Sequence, residues 1–250
     1  MSRFAEKLSA FVRSGYAYLA MLLGFGCLVL LGLLALPITL VLMCLPAAIR
    51  IPMGRRLISR MLTGYLHFLK MFCSVRVDST ALEKVRLDGP IIIIANHPSL
   101  LDAVVLLARL PRAVCVMKGS LKRNILFGPM ARLSGYVSND DPMNLIRQSC
   151  DELAGGAQIL LFPEGTRTRT FPINAFSEAA SFIAARSGVS VQTLFIEFSS
   201  PYLGKTWPLF KRPVLPLCIT VKLGRKFEPV GDRLAQTEQL ESYYRAHLKR

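Results

Sequence analysis

The sequence predicts an α/β fold with a mainly parallel central sheet flanked by helices, preceded by a membrane-embedded helical hairpin. Three observations carry this reading. From residue 73 onward, strand-like apolar runs alternate with helix-like segments, the pattern of a parallel sheet built from βαβ units. One of those runs, 91–95, opens with four consecutive isoleucines, which suits a strand buried on both faces. At the other end of the chain, 14–49 contains no charged residue at all.

Hydrophobic residues make up 52% of the chain and mean hydropathy is +0.41, with the excess gathered in that N-terminal run. About 20 apolar residues cross a bilayer core as a helix. The run is therefore too long for one straight span and slightly short for two. Gly24, Gly26 and Gly32 lie in its first half, Pro37 and Pro46 in its second. A hairpin bent near Leu36 and Pro37 is expected, entering the bilayer and returning. Arg3, Lys7 and Arg13 precede the run; Arg50, Arg55, Arg56 and Arg60 follow it. Positive flanks mark the cytoplasmic side, so the sequence places both ends there, on a cytoplasmic (inner) membrane with the rest of the chain facing the cytoplasm. A signal peptide has a shorter apolar core and a small-residue cleavage site, and fits poorly. Residues 51–72 repeat apolar positions at helical spacing with Arg55, Arg56 and Arg60 at the rim. They read as an amphipathic interfacial helix, with a core-packing helix as the alternative. The expected units are 1–50, a membrane helix or hairpin; 51–72, the interfacial helix; and 73–250, the α/β domain.

The formal net charge is +15. Such a balance fits nucleic acid, an anionic membrane surface or acidic substrates. No zinc-finger spacing or RNA-binding aromatic signature accompanies it, and the apolar N-terminus selects the membrane, so no nucleic-acid partner is expected. The six cysteines include no CxxC pair and read as reduced, packed thiols, not a disulfide framework or metal site.

Within 73–250, strands are expected at 74–77, 91–95, 113–117, 136–138, 158–162, 191–198 and 217–223. Helices are expected at 102–110, stopped by Pro111; at 121–133, interrupted at Gly128 and Pro129; and from Pro142 to the Gly155-Gly156 pair, with Asp140 and Asp141 as capping acids. Two more are expected at 177–186, closed by Gly188, and at 237–250. Pro201, Tyr202, Trp207, Pro208, Phe210 and Pro213 make the segment between the last two strands a long loop.

Two loops carry the chemistry. The isoleucine strand runs into Asn96-His97-Pro98, and Asp102 follows His97 by five positions. In open α/β sheets ligands bind at the C-terminal ends of the strands. A histidine there, with a carboxylate about one helical turn on, has the parts of a general base and its orienter. The competing reading is a helix cap beside a solvated acid. The second loop, 162–168, reads FPEGTRT directly after a buried strand. Gly165 permits close backbone approach to a ligand, Arg167 and Arg169 can hold a phosphate, and Glu164 can accept from a substrate hydroxyl or anchor an arginine. Lys118, with Gly119 and Ser120, follows another strand end. Taken alone, the second loop also reads as a structural turn with a Glu-Arg pair.

Together, NHxxxxD and FPEGTR resemble the glycerolipid acyltransferase family of the 1-acylglycerol-3-phosphate acyltransferase type, over roughly residues 60 to 225. The resemblance implies an enzyme that moves an acyl chain from acyl-carrier protein or coenzyme A to the hydroxyl of a lysolipid such as 1-acylglycerol-3-phosphate. No cofactor or metal is implied. His97 and Asp102 match the catalytic pair. Glu164, Gly165 and Arg167 match residues that bind the phosphate-bearing acceptor, and Asn96, Ser99, Lys118 and Thr166 complete the expected substrate site. Direct transfer is implied, with backbone amides at the start of the following helix holding the oxyanion; an acyl-enzyme on Ser99 ranks below it. The chain departs from the family pattern in its second block. A stretch that usually ends in a phosphate-binding arginine reads Gly135-Tyr136-Val137-Ser138-Asn139-Asp140-Asp141, and aspartate does not pair with phosphate at neutral pH. The fourth block has Ser190 and Thr193 where a proline pair is usual. These departures keep open an acceptor from a specialised bacterial pathway, such as an aryl-polyene or amino-acid lipid. A non-catalytic lipid-binding protein is the alternative of another class.

Overall fold

The computed structural model describes residues 2–208 and 211–248, with side chains from residue 9 onward. Phe210, the last two residues of the expected C-terminal helix and the side chains of Arg3 and Lys7 lie outside the described residues. The chain begins with α1 (Ser2–Met43), then α2 (Ala47–Phe72), β1 (Val75–Asp78), α3 (Leu82–Leu87), β2 (Ile92–Ala95) and α4 (Leu101–Arg109). Next come β3 (Ala113–Met117), α5 (Gly119–Lys122), α6 (Gly128–Leu133), β4 (Val137–Ser138), α7 (Pro142–Ala154) and β5 (Gln158–Leu161). It ends with α8 (Ala179–Ser187), β6 (Val191–Phe198), β7 (Leu217–Phe227) and α9 (Arg233–His247).

The strands form one seven-stranded sheet, ordered β1-β7-β6-β2-β5-β3-β4. Every neighbouring pair is parallel except β6 and β7, which run antiparallel. The isoleucine strand sits at the centre, paired with β5 on one side and β6 on the other, and its residues are wholly buried. That is why it carries no alternation of polar and apolar residues. The phenol oxygen of Tyr244, on α9, lies 2.8 Å from the Ile94 carbonyl and accepts from the Leu194 amide. It thereby ties the end of β2 to β6 two residues before Asn96, where the first candidate loop begins.

The hairpin expected within 14–49 does not form: nearly the whole apolar run is one helix, α1. It runs unbroken through Pro37, and the reversal comes at residues 44–46. Proline is tolerated inside an apolar helix where neighbours satisfy the freed backbone groups. The helix α2 then returns along α1: the Tyr16 hydroxyl is 3.2 Å from the Phe72 carbonyl, the Cys73 thiol donates to Ala20, and Leu69 lies 3.3 Å from where a side chain on Gly24 would begin. Ala17, Ala20, Met21, Gly24, Ala35 and Thr39 form the covered stripe of α1. Farther along, Thr39 donates to the Met130 sulfur. The stretch Ser9–Met43 is one helix long and apolar enough to cross a membrane. Its outer face, including Phe11, Leu22, Leu30, Leu33 and Val41, is exposed and apolar.

The helix α2 begins at Ala47 rather than residue 51. Arg55 is not at its rim. It is buried, donates to the Ser134 carbonyl at 2.9 Å and pairs with Glu152 at 2.8 Å. Arg56 and Arg60 are exposed, as expected. β7 extends four residues beyond the expected end at 223. Gly224 permits this: a Cβ there would fall 2.3 Å from the Thr193 hydroxyl, where β6 shifts register, the close approach typical of a bulge.

Candidate active site

His97 leaves the C-terminal end of β2, and Asp102 lies in the first turn of α4. Five residues of separation let the chain turn back, so that the Asp102 Oδ2 sits 2.8 Å from His97 Nδ1. The same oxygen accepts from the Ser99 amide at 2.8 Å. Asp102 is fully buried. Burial pushes its carboxyl up to about 6, against the opposing pull of the His97 hydrogen bond and charge. With a carboxylate accepting at Nδ1, the neutral ring carries its hydrogen there and keeps the Nε2 lone pair to take a proton.

The second loop packs onto the first. Glu164 Oε1 accepts from the His97 amide at 3.0 Å and the Thr168 hydroxyl at 2.8 Å, while Oε2 accepts from the Asn174 amide at 2.8 Å. In return the Thr168 amide donates to the His97 carbonyl at 2.7 Å. The ring of Phe162, at the end of β5, stacks on His97. Gly165 is exposed with φ +64, the left-handed conformation that glycine adopts without strain. Arg167 Nη1 donates to the Leu203 and Gly204 carbonyls at 2.8 and 3.0 Å, fastening the β6–β7 loop over the site. A cleft of about 730 Å³ opens beside Asn96 and Pro98, walled in part by Arg169, Phe171, Lys205 and Trp207.

Several expected substrate contacts take other roles. The Asn96 side chain accepts from the Ile196 amide at 2.8 Å and donates to its carbonyl at 2.9 Å, continuing the β2–β6 ladder beyond the last strand residue. Ser99 is buried and its hydroxyl accepts from the Leu101 amide. Both side chains are spent on the scaffold. Glu164, likewise, anchors backbone instead of an arginine. The amides expected to hold an oxyanion are also engaged: Ser99 with Asp102, Leu100 with the Leu203 carbonyl, Leu101 with Ser99. Lys118 is exposed at the start of α5, and Thr166 is half-buried in the turn after Gly165. Asp140, in the unusual second block, accepts from the Gly119 amide at 3.1 Å and pairs with Arg123 at 3.0 Å. Asp141 caps α7. Phe162, Asn174 and the carbonyls of 203–204 carried no signal in the sequence beyond proximity to a motif, because each acts through backbone or ring placement.

A histidine paired with a buried carboxylate, at the C-terminal end of a central parallel strand, has the geometry of a general base and its orienter. The acyltransferase family model matches residues 76–197, just under half of the chain. A 1-acyl-sn-glycerol-3-phosphate acyltransferase of Chlamydomonas reinhardtii is 32% identical over 109 residues, 42% of this chain and 33% of that protein. A chloroplastic protein of the same name from Brassica napus is 30% identical over 138 residues, 50% of this chain and 40% of that one. The chain spans less than half the length of these relatives. The crystal structure of the 1-acyl-sn-glycerophosphate acyltransferase PlsC from Thermotoga maritima shares the fold, with a TM-score of 0.66 over 97% of this chain and 95% of that one, at 18% identity.

Proposed function

We propose that this chain is a membrane-bound O-acyltransferase that esterifies the free hydroxyl of a lysophosphatidate-type acceptor, 1-acylglycerol-3-phosphate, with an acyl group from a coenzyme A or acyl-carrier-protein thioester. His97 Nε2 takes the hydroxyl proton as the oxygen attacks the thioester carbonyl. The tetrahedral intermediate collapses with cleavage of the C–S bond, and the imidazolium returns the proton to the leaving thiolate. Asp102 holds the ring and offsets its charge while it is protonated. The single observation that carries this reading is the 2.8 Å bond between His97 Nδ1 and a fully buried Asp102.

The exposed apolar face of α1 supports attachment to a bilayer, and the positive charges flanking the apolar run support the cytoplasmic side. The acceptor, itself a membrane lipid, then reaches the site without leaving the surface. Purified full-length protein in detergent, given 1-oleoyl-lysophosphatidate and labelled acyl-coenzyme A or acyl-carrier protein, is expected to form phosphatidate from at least one donor. His97→Ala is expected to abolish it. No product from either donor, or equal turnover by His97→Ala, overturns the proposal.

A further inference from the structure

Arg169, after β5, and Lys205, in the β6–β7 loop, line the cleft beside the site; Arg167 is bound to the two carbonyls that precede Lys205, and Lys118, after β3, acts on Lys205 by its charge. Their closeness shows at Lys205. Its ammonium is held below the ordinary lysine range first by the charge of Lys118, then by partial burial, then by Arg169 and Arg167. Among the described residues, no carboxylate forms an ion pair with Lys118, Arg167, Arg169 or Lys205. Glu164 is occupied by three protein donors, and Glu197, the acid on the cleft wall, is bound to Lys222 at 2.7 Å. Like charges gathered without a counter-ion are costly until an anion joins them.

The position of Lys205 is fixed by both candidate loops. Arg167 donates to the two carbonyls immediately before it, and the Leu100 amide donates to the first of these at 3.1 Å. The stretch 135–141 of the second block, meanwhile, contributes no cation. Its Asp140 is drawn into holding Gly119, the residue after Lys118. We propose that Lys205, outside the matched family region, completes the phosphate subsite for the acceptor head group and takes the place of the arginine that the second block lacks. This rests on the phosphate-bearing acceptor argued above.

Trp207 is the chain's one tryptophan and lines the same cleft, so its fluorescence reports on binding there. Full-length protein in detergent is titrated with sn-glycerol 3-phosphate as wild type, Lys205→Ala and Lys205→Arg, with circular dichroism to verify folding. A saturable change is expected in wild type, weakened about tenfold or more by Lys205→Ala and largely restored by Lys205→Arg. The acceptor KM is expected to rise by a similar factor in Lys205→Ala, with kcat and donor KM within about twofold. Equal affinity and equal acceptor KM in Lys205→Ala overturn the inference, as does a rise in donor KM alone. If wild type binds the phosphate through Lys205 yet acylates no lysophosphatidate, the proposed activity fails and the anion subsite stands. If it acylates lysophosphatidate with no dependence on Lys205, the inference fails and the activity stands.

Discussion

The ring of Phe162 lies beside that of His97, with centroids 4.0 Å apart and planes 16° from parallel. The bond to Asp102 sets the rotation of the imidazole about its own axis, and the stacked face limits its tilt. Phe162→Leu keeps apolar bulk but removes the flat surface. Aromatic pairs contribute about 0.5–1.5 kcal/mol beyond area burial, so kcat is expected to fall about three- to tenfold with acceptor KM little changed. Steady-state kinetics checks this; an unaltered kcat would show that Asp102 alone positions the ring.

Asp102→Asn separates charge from shape. The amide oxygen still accepts from the Ser99 amide, but no carboxylate remains to offset the imidazolium, and kcat is expected to drop by about a thousandfold or more. In wild type, kcat/KM is expected to fall as pH drops through about 6, where the Asp102 carboxyl takes up a proton. Stability runs the other way. The folded-state pKa lies above that of an unfolded aspartate, so the stabilising contribution is complete below about pH 4 and lost as pH rises through about 6. The ionised buried form costs about 3 kcal/mol relative to an ordinary carboxylate. Asp102→Asn is therefore expected to melt no lower than wild type at pH 8 while being nearly inactive. A clear loss of Tm at pH 8 would contradict the assignment of burial as the dominant effect.

The sheet and the pairing of His97 with Asp102 were legible because their signals are local. A fully buried strand shows as an unbroken apolar run, and His97 and Asp102 stand five residues apart. What the sequence did not show depends on partners far along the chain. Arg55 looks like any rim cation until Glu152 and the Ser134 carbonyl meet it. Asn96 resembles a substrate ligand until Ile196, a hundred residues later, takes both ends of its amide. Pro37 signals a bend by local rules, yet α1 passes through it because packing on α2 and on Met130 keeps the helix straight enough to continue. The end of β7 was hidden for a related reason: Gly224 reads as a stop, but its lack of a side chain is what lets the strand pass Thr193.

Glu164 tests whether the acid in the second loop acts on substrate or on scaffold. Both of its oxygens accept from protein donors. Glu164→Gln turns one acceptor into a donor facing an N–H or O–H, whichever way the amide is oriented. Hydrogen bonds to charged groups contribute about 1.5–3 kcal/mol, so Tm is expected to fall by about 3–9 °C, along with kcat as His97 loses its anchor. Calorimetry and kinetics at a temperature well below the melt distinguish the two effects. A variant with wild-type Tm and a raised acceptor KM alone would return Glu164 to the role of substrate ligand.

The outer face of α1 decides how the chain meets the bilayer. Leu22, Leu30 and Leu33 are each about half exposed or more, at 61%, 55% and 49%, whereas Ala20, Ala35 and Thr39 on the opposite face pack against the protein. Replacing the three leucines with glutamate leaves the covered stripe intact. It also opposes insertion twice, by removing apolar area worth about 25 cal/mol per Å² and by adding charge to the hydrocarbon boundary. The triple variant is expected to lose co-flotation with anionic phospholipid vesicles while retaining the circular dichroism and melt of wild type. Activity on lysophosphatidate dispersed in detergent is expected to persist, and activity on vesicle-embedded lysophosphatidate to fall at least tenfold. Full flotation by the triple variant would show that α1 is not what holds the protein at the membrane.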